Sequence, residues 1–528
     1  MSEQLPLPLE GLAPRPSLAG LPKNRRIYVN RNLSMAHIDW IGFDMDYTLA
    51  IYDQEAMDRL SIDVTAARLV KRGYPAWVTT IPYDTNFPIR GLLIDKKHGN
   101  VVKMDRYKAV GKAYRGFKQL SKEQLRTIYH SAKLRAPTSR YHFIDTLYAL
   151  SEAAVYAGII DAYDARGMQI DQAKLFADIR EAIDEAHRDG TVYSAITSDI
   201  GKYIRRDPEL AATLHKLRSA GKKLFVLTNS RRSYTELVMN HLLGSASAEY
   251  PTWRHYFDML IVAASKPAFF QEHRPIMERV HDDKEDSQMR PAQSLERGKI
   301  YEGGNLHDLE RMLGVSGDKI LYVGDHIYGD ILRSKKESAW RTAMIIQEMD
   351  TEVAAHQTCE QALEQATELE ERRARLEDEL RYHQARFKEV QRALDSITAA
   401  PARVRIEGAN ALAESPLRVS NGNGRPSNGG GHNFAALEAE RQRAKRAVER
   451  VRTLLREIES ETRELEARVD RTFHPYWGSL LKEGVETSSF GDQVEEYACL
   501  YTSRVSNFFH YSPLQTFRSP RDLMPHEL

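Results

Sequence analysis

A chain of 528 residues with a net charge of +1 and a mean hydropathy of −0.53 can bury a full core, and its length suggests about two to four structural units. The charge balance lacks the basic excess of a nucleic-acid binder, and no run approaches the roughly 18–20 apolar residues of a membrane helix, so neither nucleic acid nor membrane is an expected partner. Two cysteines, Cys359 and Cys499, offer neither a disulfide framework nor a zinc knuckle, which makes a reducing, cytoplasmic setting the expectation.

Residues 1–29 are Pro-rich, lack the basic start and apolar core of a secretory leader, and read as a flexible tail. HIDWIGF, His37 to Phe43, then reads as a short buried strand ending on Asp44-Met45-Asp46. LFVLT at 224–228, MLIVAA at 259–264 and ILYVG at 320–324 have the same character, with helical patterns between them. Continuous apolar strands alternating with helices predict a Rossmann-like α/β core whose parallel sheet is covered on both faces. Ligands of such sheets bind beyond the carboxyl ends of the strands, where Asp44, Thr228, Lys266 and Asp325 all fall. The core is expected over 30–52 and 208–350.

Residues 53–207 interrupt that core. They contain an apparent hairpin, IRGLLIDKKHGNVVKMDRY, turning at Gly99-Asn100, and helical stretches RYHFIDTLYALSEAAVYAG and LFADIREAIDEAHRDG. An insertion of this size beside the active end of a sheet is placed to act as a cap that recognises substrate and excludes water. Over 351–470, rows such as Ala362, Leu369, Leu376, His383, Val390 and Leu437, Ala444, Val451, Ile458, Leu465 repeat every seven residues, as a coiled-coil hairpin would. Its tip, about 400–433, is rich in Gly, Asn and Ser and is expected to be disordered. Residues 471–528 become aromatic again and are expected to form a C-terminal helical segment packing on the core.

Carboxylates are costly to bury unless paired, and a lone Asp-x-Asp on a solvated turn would mean little. This pair has company at three other strand ends: Leu227-Thr228-Asn229-Ser230, Ser265-Lys266-Pro267, and Gly324-Asp325-His326-Ile327-Tyr328-Gly329-Asp330. Together these residues resemble the four motifs of the haloacid-dehalogenase superfamily, most of whose members transfer phosphoryl groups through an aspartyl-phosphate. Longer stretches (FDMDYTLAIY, RLVKRGYP, LTNS, SKPAFF, VGDHIYGDILRSKKESAWRT and SSFGDQVEEYACLYTSRVSNFF) are similar to the cytosolic purine 5'-nucleotidase family, which prefers IMP and GMP.

The resemblance implies Asp44 as nucleophile and Asp46 as the acid that protonates the leaving oxygen and later takes a proton from water. Thr228 and the Asn229 amide would bind phosphoryl oxygens, and Lys266 would neutralise the transferring group. Mg²⁺ is the implied cofactor, held by the Asp44 and Asp325 carboxylates and the Asp46 carbonyl. Asp330 would orient Lys266 or a metal-bound water. For the substrate, a purine nucleoside monophosphate, Tyr148 falls where an aromatic residue stacks on the base. Arg180, Asp184 and His187 fall on the base-recognition helix, at spacings that share one face.

The lysine used by the family for substrate contacts is here Tyr193. A nucleotide effector site is matched by Arg135, Tyr328, Lys336, Arg341, Gln493 and Tyr497, but Asp145 and Glu496 replace an asparagine and an arginine, which predicts weakened or altered stimulation by ATP. The resemblance also implies a homo-oligomer. Phosphotransfer to a nucleoside needs no further residue, since a nucleoside hydroxyl can replace water. The alternatives are a phosphatase of other small phosphate esters, or a coiled-coil scaffold whose catalytic core is vestigial.

Overall fold

The computed structural model describes residues 20–129, 134, 138–244, 249–280, 288–332, 337–399 and 430–520. The chain forms two compact units, one built from 1–355 with 473–528 and the other from 356–472.

In the first unit the main sheet has ten strands among the described residues. In spatial order they are Tyr28–Val29, Leu500–Thr502, Arg341–Ile345, Ile320–Gly324, Trp40–Phe43, Lys223–Leu227, Met259–Val262, Ile300–Gly303, Ile276–Arg279 and Met289–Pro291. The run from Leu500–Thr502 to Ile300–Gly303 is parallel, and the edges are antiparallel. Trp40–Phe43 lies in the middle, buried at every position, as its unbroken apolar sequence requires of a strand covered on both faces. Gly42 has no side chain because the Phe225 ring of the adjacent strand occupies the place where its Cβ would stand. This is the expected Rossmann-like α/β core with a largely parallel sheet, and with antiparallel edges that the apolar runs did not announce.

The insertion carries its own antiparallel five-stranded sheet, ordered Lys118–Gln119, Val110–Arg115, Asn100–Met104, Leu92–Asp95, Tyr141–Ile144. Helices Gln54–Lys71, Leu150–Ala165 and Gln172–Arg188 pack with it into the main hydrophobic core. The chain enters the insertion through Ile51–Tyr52 and leaves through Ile204–Arg205, and these two short strands pair antiparallel. The hairpin forms as expected, with Gly99 at φ +70° in the turn and Asn100 already paired with Asp95.

Three expectations change. The stretch from Arg140 does not begin as helix: Tyr141–Ile144 is an edge strand, and helix starts only at Leu150. The tail ends before residue 29, because Ile27 is buried, its N–H donates to the Tyr511 hydroxyl, and Tyr28–Val29 joins the sheet; residues 1–19 lie outside the described residues. The C-terminal segment is not only helical. Besides helix Ser489–Tyr497 it supplies Leu500–Thr502, which extends the parallel sheet.

In the second unit two long helices, Glu360–Ala399 and Gly430–Phe473, meet along Leu369, Leu376, Ile458 and Leu465. Arg386–Glu440 at 2.6 Å and Arg450–Glu379 at 2.8 Å link them at the margin. Their solvated faces are rich in Arg and Glu, as the heptad pattern requires. Of the tip expected over about 400–433, residues 400–429 lie outside the described residues, while the helix Gly430–Phe473 already takes in 430–433. Among the described residues no helix is long and apolar enough to cross a membrane.

Candidate active site

The central strand ends at Phe43, and the Asp44 N–H still donates to the Val323 carbonyl of the neighbouring strand at 2.9 Å. Asp44 is therefore fixed at the carboxyl edge of the sheet, between the ends of Lys223–Leu227 and Ile320–Gly324. After the strand Met259–Val262 the backbone passes through Ala263 at φ +48° and Ser265 at φ +59°. Two left-handed residues in one short loop are a strained arrangement of the kind that collects at functional sites. Here they turn Lys266 inward.

The Lys266 ammonium has three N–H groups and three neighbours: Asp44 Oδ1 at 2.9 Å, Asp330 Oδ1 at 2.7 Å and the Tyr322 hydroxyl at 2.9 Å. Tyr322 in turn donates to the Leu227 carbonyl at 3.0 Å. Burial alone would pull Lys266 down, but Asp330 and Asp44 more than reverse this and hold it firmly protonated. Asp330 can fold back beside the strand end because residue 324 is glycine: a Cβ there would stand 2.6 Å from Asp330 Oδ2.

Three carboxylates, Asp44, Asp325 and Asp330, lie within 4.8 Å of one another and are all buried. Burial raises Asp44 well above the usual carboxylate range, against the pull of Lys266. Burial and the neighbouring Asp330 push Asp325 up to about 7. One lysine among three close carboxylates leaves negative charge over, and hard oxygen donors with excess charge suit a divalent cation. Arg90, which sequence reasoning passed over, is buried beneath this cluster; it donates to the Asp325 carbonyl at 2.9 Å and grips Glu348 through both oxygens.

Asp46 stands apart from the cluster. Tyr52 donates to its Oδ1 at 2.6 Å and Ser230 to its Oδ2 at 2.6 Å. Its pKa is raised by burial, partly offset by these two bonds. The Thr228 hydroxyl accepts from the Ser230 N–H at 3.1 Å, which leaves its own proton to donate. The Asn229 carboxamide is committed elsewhere: it accepts from the Lys266 N–H at 2.6 Å and donates to the Lys266 carbonyl at 2.9 Å, bracing the lysine loop.

Asp46, Asn229 and Ser230 open into a cavity of about 970 Å³ whose other wall is the insertion, with Tyr148, Arg180, Asp184 and His187 all on it. The Tyr148 ring is backed edge-on by Tyr47 at 4.8 Å and meets the His187 ring at 6.2 Å. His187 Nδ1 is placed to donate to the Ile183 carbonyl at 2.9 Å. Arg180 pairs closely with Glu152 and, at 3.7 Å, with Asp184. Glu152 is a second residue sequence reasoning missed. Lying in the first turn of the Leu150–Ala165 helix, it is almost fully buried, and burial pushes it up to about 7 although Arg180 pulls the other way. Burial and the same arginine push neighbouring His142 down to about 4. Tyr193 is exposed, with its ring 5.8 Å from Tyr234.

The residues matched to an effector site are only partly visible. Helix Ser489–Tyr497 packs on the turn Ile327–Leu332 through Val494, Ile327 and Ile331. Gln493 faces the cavity, and the Tyr497 carbonyl accepts from Thr342, the neighbour of exposed Arg341. Arg135, Lys336 and the Tyr328 side chain lie outside the described residues. Asp145 lies on the cavity wall 3.2 Å from His326 Nε2. Glu496 occupies the same Ser489–Tyr497 helix.

Residues 27–528 match the model of the 5' nucleotidase family. The chain belongs to that family. It is 32% identical over 351 residues to human 5'-nucleotidase domain-containing protein 2, covering 64% of this chain and 66% of that one. The rat counterpart is covered to 62%, so the chain spans just under two thirds of these two relatives. A 5'-nucleotidase domain-containing protein of Dictyostelium discoideum is 27% identical over 507 residues, 95% of this chain and 74% of that one. Among solved structures, CbbY from Rhodobacter sphaeroides in complex with phosphate aligns at 17% identity over 58% of this chain and 86% of that one, with a TM-score of 0.23, too low to transfer anything about the site.

Proposed function

We propose that this 5' nucleotidase family member is a Mg²⁺-dependent phosphohydrolase of purine nucleoside 5'-monophosphates, IMP and GMP foremost. One observation carries the reading: a single cavity joins the Asp46–Asn229–Ser230 edge of the core to a wall bearing Tyr148, Arg180 and His187, so a phosphate at one end leaves a base at the other. Phosphate monoesters resist attack because their charge repels nucleophiles, and positioning with charge neutralisation dominates their catalysis. Asp44, pinned by the Val323 carbonyl and Lys266, attacks phosphorus. The bond from Asp44 to phosphorus forms, the bond to O5' breaks, and Asp46 gives its proton to O5'. Water then attacks the aspartyl-phosphate, Asp46 takes a water proton, and phosphate leaves with Asp44 restored.

Thr228 and main-chain N–H groups of its loop hold phosphoryl oxygens, while Lys266 offsets their charge. The carboxylates of Asp44 and Asp325 with the Asp46 carbonyl would hold Mg²⁺, and Asp330 keeps Lys266 in place. When bound, the ion supplies charge neutralisation for the phosphoryl group. Tyr148 stacks on the base and Arg180 donates to its oxygen, favouring 6-oxopurines. A nucleoside hydroxyl in place of water makes the same residues a phosphotransferase. Asp145 and Glu496 put carboxylates where the effector-site resemblance has an asparagine and an arginine, so stimulation by ATP is weakened or altered.

The test is phosphate release from IMP, GMP, AMP, UMP, ribose 5-phosphate and p-nitrophenyl phosphate, with Mg²⁺ or EDTA, beside Asp44→Asn. IMP and GMP lead, and EDTA and the substitution both silence the reaction. Equal rates on all esters would sink the base assignment, and a silent wild type would sink the enzyme.

A further inference from the structure

Tyr52 is buried to 1% exposure, yet its hydroxyl makes two short polar contacts: it donates to Asp46 Oδ1 at 2.6 Å and lies 2.8 Å from the Tyr234 hydroxyl. It stands in the two-residue strand Ile51–Tyr52, where the chain leaves the core for the insertion, paired with the returning strand Ile204–Arg205. Its ring rests against Tyr47 at 4.7 Å and Tyr148 at 6.2 Å. Tyr234 comes from a further element, the helix Arg232–Leu243. The crossing strands, that helix and the Tyr148 wall therefore converge on one phenol.

We propose that Tyr52 is a positioning residue for Asp46, fixing its carboxyl for proton delivery to the leaving oxygen and tying that geometry to the junction between core and insertion. The inference rests on Asp46 as the acid of the proposed reaction. The terminal torsion of an aspartate is broad, so nothing in Asp46 itself selects one carboxyl orientation. Here one oxygen is taken by Tyr52 and the other by Ser230, which leaves a single orientation that satisfies both. A hydroxyl is donor and acceptor at once, so the contact survives whether or not Asp46 carries the proton. Tyr234 then supplies the complementary partner on the far side of Tyr52. A phenylalanine would fill the same space and lose all of this.

The discriminating readout is dependence on the leaving group. In the step that kcat/KM reports, the phosphorus bond to O5' breaks and O5' must receive the Asp46 proton, whereas p-nitrophenolate departs without one. Tyr52→Phe is expected to lower kcat/KM for IMP by roughly tenfold to a hundredfold, while p-nitrophenyl phosphate changes by less than about threefold, since only the first needs general acid catalysis. Tyr234→Phe, which spares the donation to Asp46, shifts the ratio the same way by less. Retained p-nitrophenyl phosphate turnover shows in the same sample that the variant is folded. Equal losses on both esters, or no loss on either, overturns the proposal. Asp46→Asn separates the layers. If it shows the leaving-group split and Tyr52→Phe does not, Tyr52 alone has been misjudged; if Asp46→Asn lowers both esters alike, the acid assignment falls and the proposal with it.

Discussion

Lys266→Met tests whether the buried cation holds the site together as well as serving it. The lysine side chain is 3% exposed, and its ammonium is shared by Asp44, Asp330 and Tyr322. Methionine keeps much of the stem and removes the charge, leaving Asp44, Asp325 and Asp330 within 4.8 Å of one another with no ammonium among them. Breaking a buried pair from one side costs about 3–5 kcal/mol, because the remaining charge stays desolvated. For a unit of about 400 residues, at roughly 2 cal/mol/K of unfolding entropy per residue, that is a Tm lower by about 4–6 °C. Millimolar Mg²⁺ is expected to raise the Tm of the variant more than that of the wild type, since a bound cation relieves the same uncompensated charge. Phosphate release falls by about a hundredfold to a thousandfold, the usual loss when one preorganised electrostatic partner is removed. Thermal unfolding with and without Mg²⁺, beside a phosphate-release assay, reads all three. A variant as stable as wild type, or one that keeps its rate, would refute the assignment of Lys266 as the charge that balances this cluster.

Gly42→Ala drives a methyl group into the Phe225 ring on the adjacent strand, and overpacking of this kind costs about 1–3 kcal/mol, read as a lower urea midpoint; an unchanged midpoint would mean that the ring has room to move. Tyr148→Ala removes the aromatic wall of the cavity and is expected to raise KM for IMP by about threefold to tenfold while leaving p-nitrophenyl phosphate unaffected, a split that loss of folding cannot produce. Glu152 has a folded pKa raised from 4.5 to about 7, so the native state holds its proton more tightly than the unfolded chain and stability falls as pH rises through that window, on the order of 3 kcal/mol in full. Glu152→Gln should flatten that decline between about pH 5 and 8, and urea unfolding at both ends of the range, with parallel slopes for the two proteins, would show the carboxyl to be no strained group.

The chemistry was legible because it is carried by local strings. A strand that is apolar at every position and ends on Asp44-Met45-Asp46 announces both its burial and a candidate functional edge, and Thr228, Lys266 and Asp325 repeat that grammar at three neighbouring strand ends. Tyr141–Ile144 reads as helix in the sequence because four mixed residues beside a long helical run suit either period, and only pairing with Leu92–Asp95 decides between them. Leu500–Thr502 is hidden in the sequence for a similar reason: three residues cannot declare a strand, and pairing with Arg341–Ile345 recruits them.

By itself, then, the sequence showed the four apolar strands that carry the candidate site residues, a long insertion between the first two, two heptad-patterned segments and which side chains are candidates for chemistry. Each of those properties is written in periodicity or in a short motif. Tertiary structure alone decided which partner each group received. Ser230 and Asp46 are 184 positions apart, Arg180 and Glu152 28, Arg90 and Glu348 258. Contacts at such separations leave no periodic trace, because they depend on how elements distant in the chain pack together rather than on any neighbouring residue. That packing brings Ser230 to Asp46, buries Glu152 beside Arg180, and sets Arg90 against Glu348.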